Sequence, residues 1–258
     1  MKKLITMLLL IGIVFLFGLS CSQKSEWVQL FNGKNLDGWK VKISGHPLGE
    51  NYKNTIRVED GLLKVSYNEY ETIEGKFGHI FYEKPFSHYI LRAEYRFVGE
   101  QCPDAPGWAF KNNGIMFHSQ SPESMELNQN FPVCIEAQML GGNGEDSRPT
   151  GNVCSPGTHF VRNGELITAH CVNSTSKTIH DEAWVMLEIE VHGSGKVIHR
   201  IDGETVFEYE QVQYDQDDPE AKKLIQGDKL LIGNGYIAFQ AESHPTEFRK
   251  IELKHLEH

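Results

Sequence analysis

The chain has 258 residues, 23% charged and 40% hydrophobic, which is enough apolar mass for a sizeable core in one or two domains. Its formal net charge is −10, and no Lys/Arg cluster interrupts that balance. Nucleic acid is therefore excluded as a partner, because its phosphates would be repelled.

The chain begins with a basic Met1-Lys2-Lys3 and an apolar run from Leu4 to Phe17, broken only by Thr6 and Gly12. "GLSC" follows, ending at Cys21. The segment resembles a bacterial lipoprotein signal, although Gly18 stands where such signals usually carry Leu. The run is short for a membrane span. The expected organisation is a signal over 1–20, a lipidated Cys21 opening a linker over 21–26, and one domain over 27–255. Such a protein is exported and meets a membrane only through its lipid, facing the periplasm or the cell surface.

Strand-like runs separated by turn signals fill the rest. "TIRVEDGLLKVSY" reads as a hairpin turning at Glu59-Asp60-Gly61. "YILRAEYRFVG" alternates Tyr89, Leu91, Ala93, Tyr95 and Phe97 against polar neighbours. "WVMLEIEVHGSGKVIHRIDGETVFEYE" reads as a meander with Val185, Leu187, Ile189 and Val191 on its core face. Helical periodicity is weak, and its best candidate, Asp218 to Ile225, spans two turns. Many alternating strands with little helix predict an all-β, two-sheet sandwich or jelly roll.

Cys102, Cys134, Cys154 and Cys171 remain once Cys21 is set aside. An exported compartment permits disulfides. Cys154 and Cys171 bracket a loop-rich segment and are the preferred pair, although four cysteines allow three connectivities. None has the spacing of a cysteine zinc site.

Four motifs carry a family resemblance: "LFNGKNLDGW" (30–39), "NNGIMFHSQ" (112–120), "IEAQMLGG" (135–142) and "GYIAFQAESHPTEFRKIEL" (235–253). Together they resemble the 3-keto-disaccharide hydrolase domain family, from about Trp27 to Leu253. "NVCSPGT" and "CVNSTSKT" look like its Bacteroidetes-type lipoprotein subgroup. The resemblance implies a concanavalin A-like jelly roll acting on 3-keto-glycosides. Oxidation at C3 acidifies the C2 proton, so a base removes it, the C1 oxygen leaves by elimination, and water adds back. That chemistry needs a base, a donor to the enolate oxygen and an acid for the leaving group. A divalent metal ion is compatible with it, and no ligand spacing demands one.

Three strands place polar groups where a plain core would be apolar, as a sugar groove requires. One carries Glu136 and Gln138, another Gly114, Met116, His118 and Gln120, and the last Tyr236, Gln240, Glu242 and His244. The expected catalytic residues are His118, Glu136, Glu242 and His244. Asn113, Gln138, Gln240, His159, Arg162 and Trp108 are the expected substrate contacts, with His159 and Arg162 held over the groove by the disulfide loop. The alternative is a carbohydrate-binding module without catalysis. A retaining glucanase is disfavoured, because Gln138 stands where its E-x-D-x-x-E motif needs Asp.

Overall fold

The computed structural model describes residues 26–257. The expected signal over 1–20, Cys21 and most of the linker lie outside the described residues. In chain order the strands begin with β1 (Val28–Gln29), β2 (Trp39–Ile43), β3 (Ile56–Glu59), β4 (Leu62–Val65), β5 (Gly78–Tyr82) and β6 (His88–Phe97). Next come β7 (Asn112–Ser119), β8 (Ile135–Leu140), β9 (Asn152–Cys154), β10 (Thr158–Arg162), β11 (Glu165–Ile167) and β12 (Cys171–Val172). The last are β13 (Val185–His192), β14 (Lys196–Ile201), β15 (Glu204–Tyr214), β16 (Tyr236–Ala241) and β17 (Thr246–His255). The one α-helix described, α1 (Pro219–Lys222), is a single turn capped by the Asp218 side chain.

The strands form two antiparallel sheets packed as a jelly-roll sandwich. The larger runs β11-β10-β15-β14-β13-β6-β17-β4-β3, with β1 added along β17. The smaller runs β12-β9-β8-β7-β16-β5-β2. Sequence neighbours pair through hairpins where turn residues allow it. Asp60 and Gly61 both take positive φ (54° and 76°) between β3 and β4, the conformation a tight two-residue hairpin needs. The core fills the space between the sheets with the inner side chains of each strand. Val185, Leu187, Ile189 and Val191 of β13 meet Ile115, Phe117, Ile135, Ala137 and Met139 from β7 and β8 in one apolar cluster.

The outer faces of the two sheets differ. On the larger sheet, charges neutralise one another across strands: Arg92 with Glu252, Arg96 with Glu247, and Glu94 with Arg249 and Lys250. Trp184 lies under both Arg96 and Arg249. This is a solvated face. On the smaller sheet the equivalent positions are buried, and their carboxyl groups have no ion-pair partner among the described residues.

Cys154 on β9 and Cys171 on β12 are cross-strand partners joined by a disulfide. Cys102 and Cys134 are free and buried. The bridge closes a loop with a sequence separation of 17 and ties the edge strand β12 to its sheet. Chain-entropy reasoning gives such a loop about 3 kcal/mol. Reduction, or the paired C154S/C171S change, is expected to lower the melting temperature by roughly 6–12 °C. A calorimetric scan with and without reductant measures it, and an unchanged transition would show that the bridge contributes nothing to stability.

Candidate functional site

A cavity of about 480 Å³ opens on the outer face of the smaller sheet. Its floor is built from neighbouring strands. β8 contributes Glu136 and Gln138, β16 contributes Gln240, and Glu242 follows immediately after that strand. Strand alternation sends Ile135, Ala137 and Met139 to the core and their neighbours outward. β7 lies between β8 and β16, with Gly114 opposite Gln138 and Met116 opposite Glu136. A Cβ at Gly114 would stand 2.1 Å from Glu136 Oε1. The glycine therefore leaves the space into which the Glu136 carboxyl folds across β7.

Burial controls the charge of this floor. Glu136 is 5% exposed, and loss of hydration pushes its pKa up to about 8. Glu242 rises well above the usual carboxylate range, first from burial and then from the charge of Glu136, while a hydrogen bond from Gln240 opposes the rise. Gln240 Nε2 donates to Glu242 Oε1 at 3.1 Å. The two carboxyls are thus coupled, each holding its proton above the usual carboxylate range. Glu242 Oε2, Gln240 Oε1 and Asn112 Oδ1 are buried without a hydrogen-bond partner among the described residues. Buried polar atoms are seldom left so, and three around one cavity point to a polar ligand. Asn152 Nδ2 donates to Gln138 Oε1 at 2.9 Å, which fixes the Gln138 amide and leaves its own NH₂ to donate.

The walls are mostly apolar: Trp108, Phe131, Leu140, Pro156 and the disulfide. Trp108, on a single turn of 3-10 helix, is 54% exposed at the rim. Arg148 and His170 complete the lining. Among the described residues, no group of three or more His, Cys, Asp or Glu side chains is arranged to hold a metal ion.

The residues singled out in the sequence divide into two sets. Glu136, Gln138, Gln240, Glu242 and Trp108 meet in this cavity. His118, His244, Asn113, His159 and Arg162 do not line it. Simple alternation puts His118 on the groove face, but β7 is irregular there. Its register with β16 shifts between Tyr236 and Ala238, and His118 has φ +46°. The ring turns the other way, and Nε2 reaches Gly193 O on the opposite sheet at 2.9 Å. His244 is displaced for a similar reason. β16 ends at Ala241 and Ser243 takes φ +124°, after which the imidazole packs against Phe97 and Phe110. Asn113 donates inward to the Gln240 carbonyl at 2.7 Å. His159 and Arg162 belong to β10 in the larger sheet, where His159 faces Asp215 and Arg162 stacks on Phe207. Asn112, Phe131, Arg148 and His170 line the cavity without being among the residues expected from the sequence. Asn112 opens one of the four family motifs and His170 adjoins Cys171, whereas nothing near Phe131 or Arg148 marks either as a lining residue.

A carboxyl whose pKa is raised by folding binds its proton more tightly when folded. Stability is then full below the unfolded value, near 4.5, and declines as pH rises toward 8. Each tenfold gain in proton affinity corresponds to about 1.4 kcal/mol. The melting temperature of the wild-type protein is therefore expected to fall between pH 5 and pH 9, and that of Glu136→Gln to fall less. Parallel pH profiles for the two proteins would contradict the burial of Glu136 as an unpaired acid.

A family model described as the 3-keto-alpha-glucoside-1,2-lyase-like domain matches residues 26–254. No curated protein matches the chain. Among solved structures, two candidate glycosyl hydrolases of Parabacteroides distasonis are similar in fold, each 16% identical. One has a TM-score of 0.54 and covers 90% of this chain and 100% of its own. The other has 0.51, with 90% and 94% covered. LamA of Z. galactanivorans, solved with laminaritriose and laminaritetraose, is 10% identical with a TM-score of 0.51, covering 89% of this chain and 97% of its own.

Proposed function

This chain belongs to the 3-keto-alpha-glucoside-1,2-lyase-like domain family, and on that premise we propose that it cleaves 3-keto-glycosides by elimination across C1 and C2, followed by hydration. The observation that carries the proposal is the pair of buried carboxyls, Glu136 and Glu242, on the floor of one cavity. An elimination needs one group able to take a proton and another able to give one at the same pH. A coupled pair that ionises in two separated steps supplies both.

Glu136 is the base. Its carboxylate removes the C2 proton, and the electron pair delocalises into the C3 carbonyl as an enolate. The C3 carbonyl then reforms, C1=C2 closes, and the C1–O bond breaks. Glu242 gives its proton to the departing oxygen. Gln138, whose carbonyl is occupied by Asn152, has its NH₂ free to donate to the enolate oxygen. The unpartnered Gln240 Oε1 and Asn112 Oδ1 accept from sugar hydroxyls. For hydration the roles reverse. The Glu242 carboxylate takes a proton from water as its oxygen adds to C1, and Glu136 returns its proton to C2. Both groups end as they began.

We also propose export, with a lipid at Cys21 holding the domain to a membrane. The basic start, the apolar run and "GLSC" support this, as does a disulfide, which suits an oxidising compartment.

The test is turnover of a synthetic 3-keto-glucoside, with and without deuterium at C2. The expected result is release of the leaving group with a primary isotope effect. Glu136→Gln and Glu242→Gln are each expected to lose about 100-fold or more in kcat. The wild-type kcat/KM should climb with pH toward about 8, as Glu136 ionises. Cleavage of an unoxidised glycoside instead would overturn the proposal, and so would sugar binding without turnover, which would leave a binding module.

A further inference from the structure

Arg148 sits in the loop between β8 and β9 and lines the same cavity as Trp108, Asn112 and Leu140. Its Nε donates to the Gly141 carbonyl at 2.8 Å, and Nη2 donates to the Phe110 carbonyl. Those two backbone acceptors hold the side chain in place but carry no charge. No carboxylate of the described residues forms an ion pair with it. Asp146 is the acid whose charge acts on it, without forming an ion pair, and Asp146 is itself bound by Asn143 Nδ2 at 2.8 Å. Half-burial makes this guanidinium costly to charge, so its pKa is lowered, yet an arginine stays protonated in any protein.

The cavity therefore has an unusual charge balance at neutral pH. The two floor carboxyls are held largely neutral by burial. Arg148 remains as a full positive charge with no ion-pair partner among the described residues, inside a protein of net charge −10. A half-buried unpaired cation is unfavourable until something anionic meets it, and a guanidinium fork fits a carboxylate in two-pronged geometry. The surrounding walls, Trp108, Leu140 and Phe131, offer flat apolar surface and few hydrogen-bonding groups. A leaving group that is itself a sugar would need more polar partners than these walls provide.

We propose that Arg148 is a specificity-determining residue that recognises a carboxylate on a planar, apolar leaving group of the glycoside. This rests on the cavity being the glycoside site, as proposed above. Arg148 takes no part in the proton transfers. It positions the leaving group, and its contribution falls on binding.

The experiment compares two 3-keto-glucosides whose leaving groups are phenol and 4-hydroxybenzoate, together with binding of the free phenol and free 4-hydroxybenzoate by calorimetry. For the wild-type protein the carboxylated substrate is expected to have the higher kcat/KM by about tenfold or more, mainly through KM. Free 4-hydroxybenzoate should bind more tightly than phenol by a similar factor. Arg148→Gln should erase both preferences, its loss falling more heavily on the carboxylated substrate than on the phenyl one. Arg148→Lys, which keeps the charge but loses the fork, should restore part of the preference. Equal kcat/KM for the two substrates in the wild-type protein would overturn the proposal. So would an equal loss on both substrates in Arg148→Gln, which is the result expected if the side chain only holds the carbonyls of Gly141 and Phe110. Should no 3-keto-glucoside be turned over, the elimination reading fails. The two free ligands then decide the Arg148 proposal on the wild-type protein alone, with equal affinity counting against it.

Discussion

Two carboxyl groups, Glu136 and Glu242, are buried on one sheet face with no cation paired to either among the described residues, and the rest of the site depends on how the fold tolerates them. An ionised carboxylate withdrawn from water costs far more than a neutral one, so both groups hold their protons to unusually high pH. Gly114 contributes by having no side chain where Glu136 must lie. Gln240 contributes a hydrogen bond to Glu242. The strand order β8-β7-β16 brings them together, since the middle strand presents its glycine between β8, which carries Glu136, and β16, which carries Gln240 and ends just before Glu242. A sandwich built only for stability would place apolar side chains here, or pair the charges as the larger sheet does along Arg92, Arg96 and Arg249.

The same constraint sets the division of labour across the molecule. The larger sheet has an inner face that is all core and an outer face that is neutralised and wet. Its strands β13 and β6 form a long, regular ladder from Val185 opposite Tyr95 to His192 opposite His88. Both sheets carry register shifts, the larger between His159 and Val161, His199 and Arg200, and Arg249 and Glu252, and the smaller has its own near the site. β7 shifts register at His118, β16 stops before Ser243, and the edge strand β12 is tied to β9 by the disulfide. Three buried polar atoms without a hydrogen-bond partner among the described residues, on Asn112, Gln240 and Glu242, lie at the cavity, where binding of a ligand can offset their cost.

Much of this is legible in the sequence. The two-sheet architecture follows from period-two alternation, because each strand must bury one face; Tyr89 to Phe97 and Val185 to Val191 are buried as the pattern requires. Alternation also places Glu136 with Gln138, and Gln240 with Glu242. It fails where the backbone leaves the regular pleat. At His118 the irregular strand inverts the face, and at Ser243 a positive φ turns His244 toward Phe97 and Phe110. Neither event has a proline or glycine at the residue itself to announce it. The disulfide loop suggests a place over the groove for His159 and Arg162, but the chain crosses to the larger sheet immediately after Cys154. Arg148 is illegible for another reason. What distinguishes it is the absence of an ion-pair partner among the described residues, and only the folded arrangement shows which acids fail to reach it.

The central claim is that Glu136 and Glu242 are protonated carboxylic acids inside a folded protein at neutral pH, with Glu136 releasing its proton near pH 8. Infrared difference spectroscopy of the carboxyl C=O stretch, taken across a pH titration, tests this most directly. The account predicts a protonated-acid band that persists at pH 7, loses part of its intensity around pH 8, and is absent in the doubly substituted Glu136→Gln, Glu242→Gln protein. A wild-type spectrum with no protonated-acid band above pH 6 would contradict it.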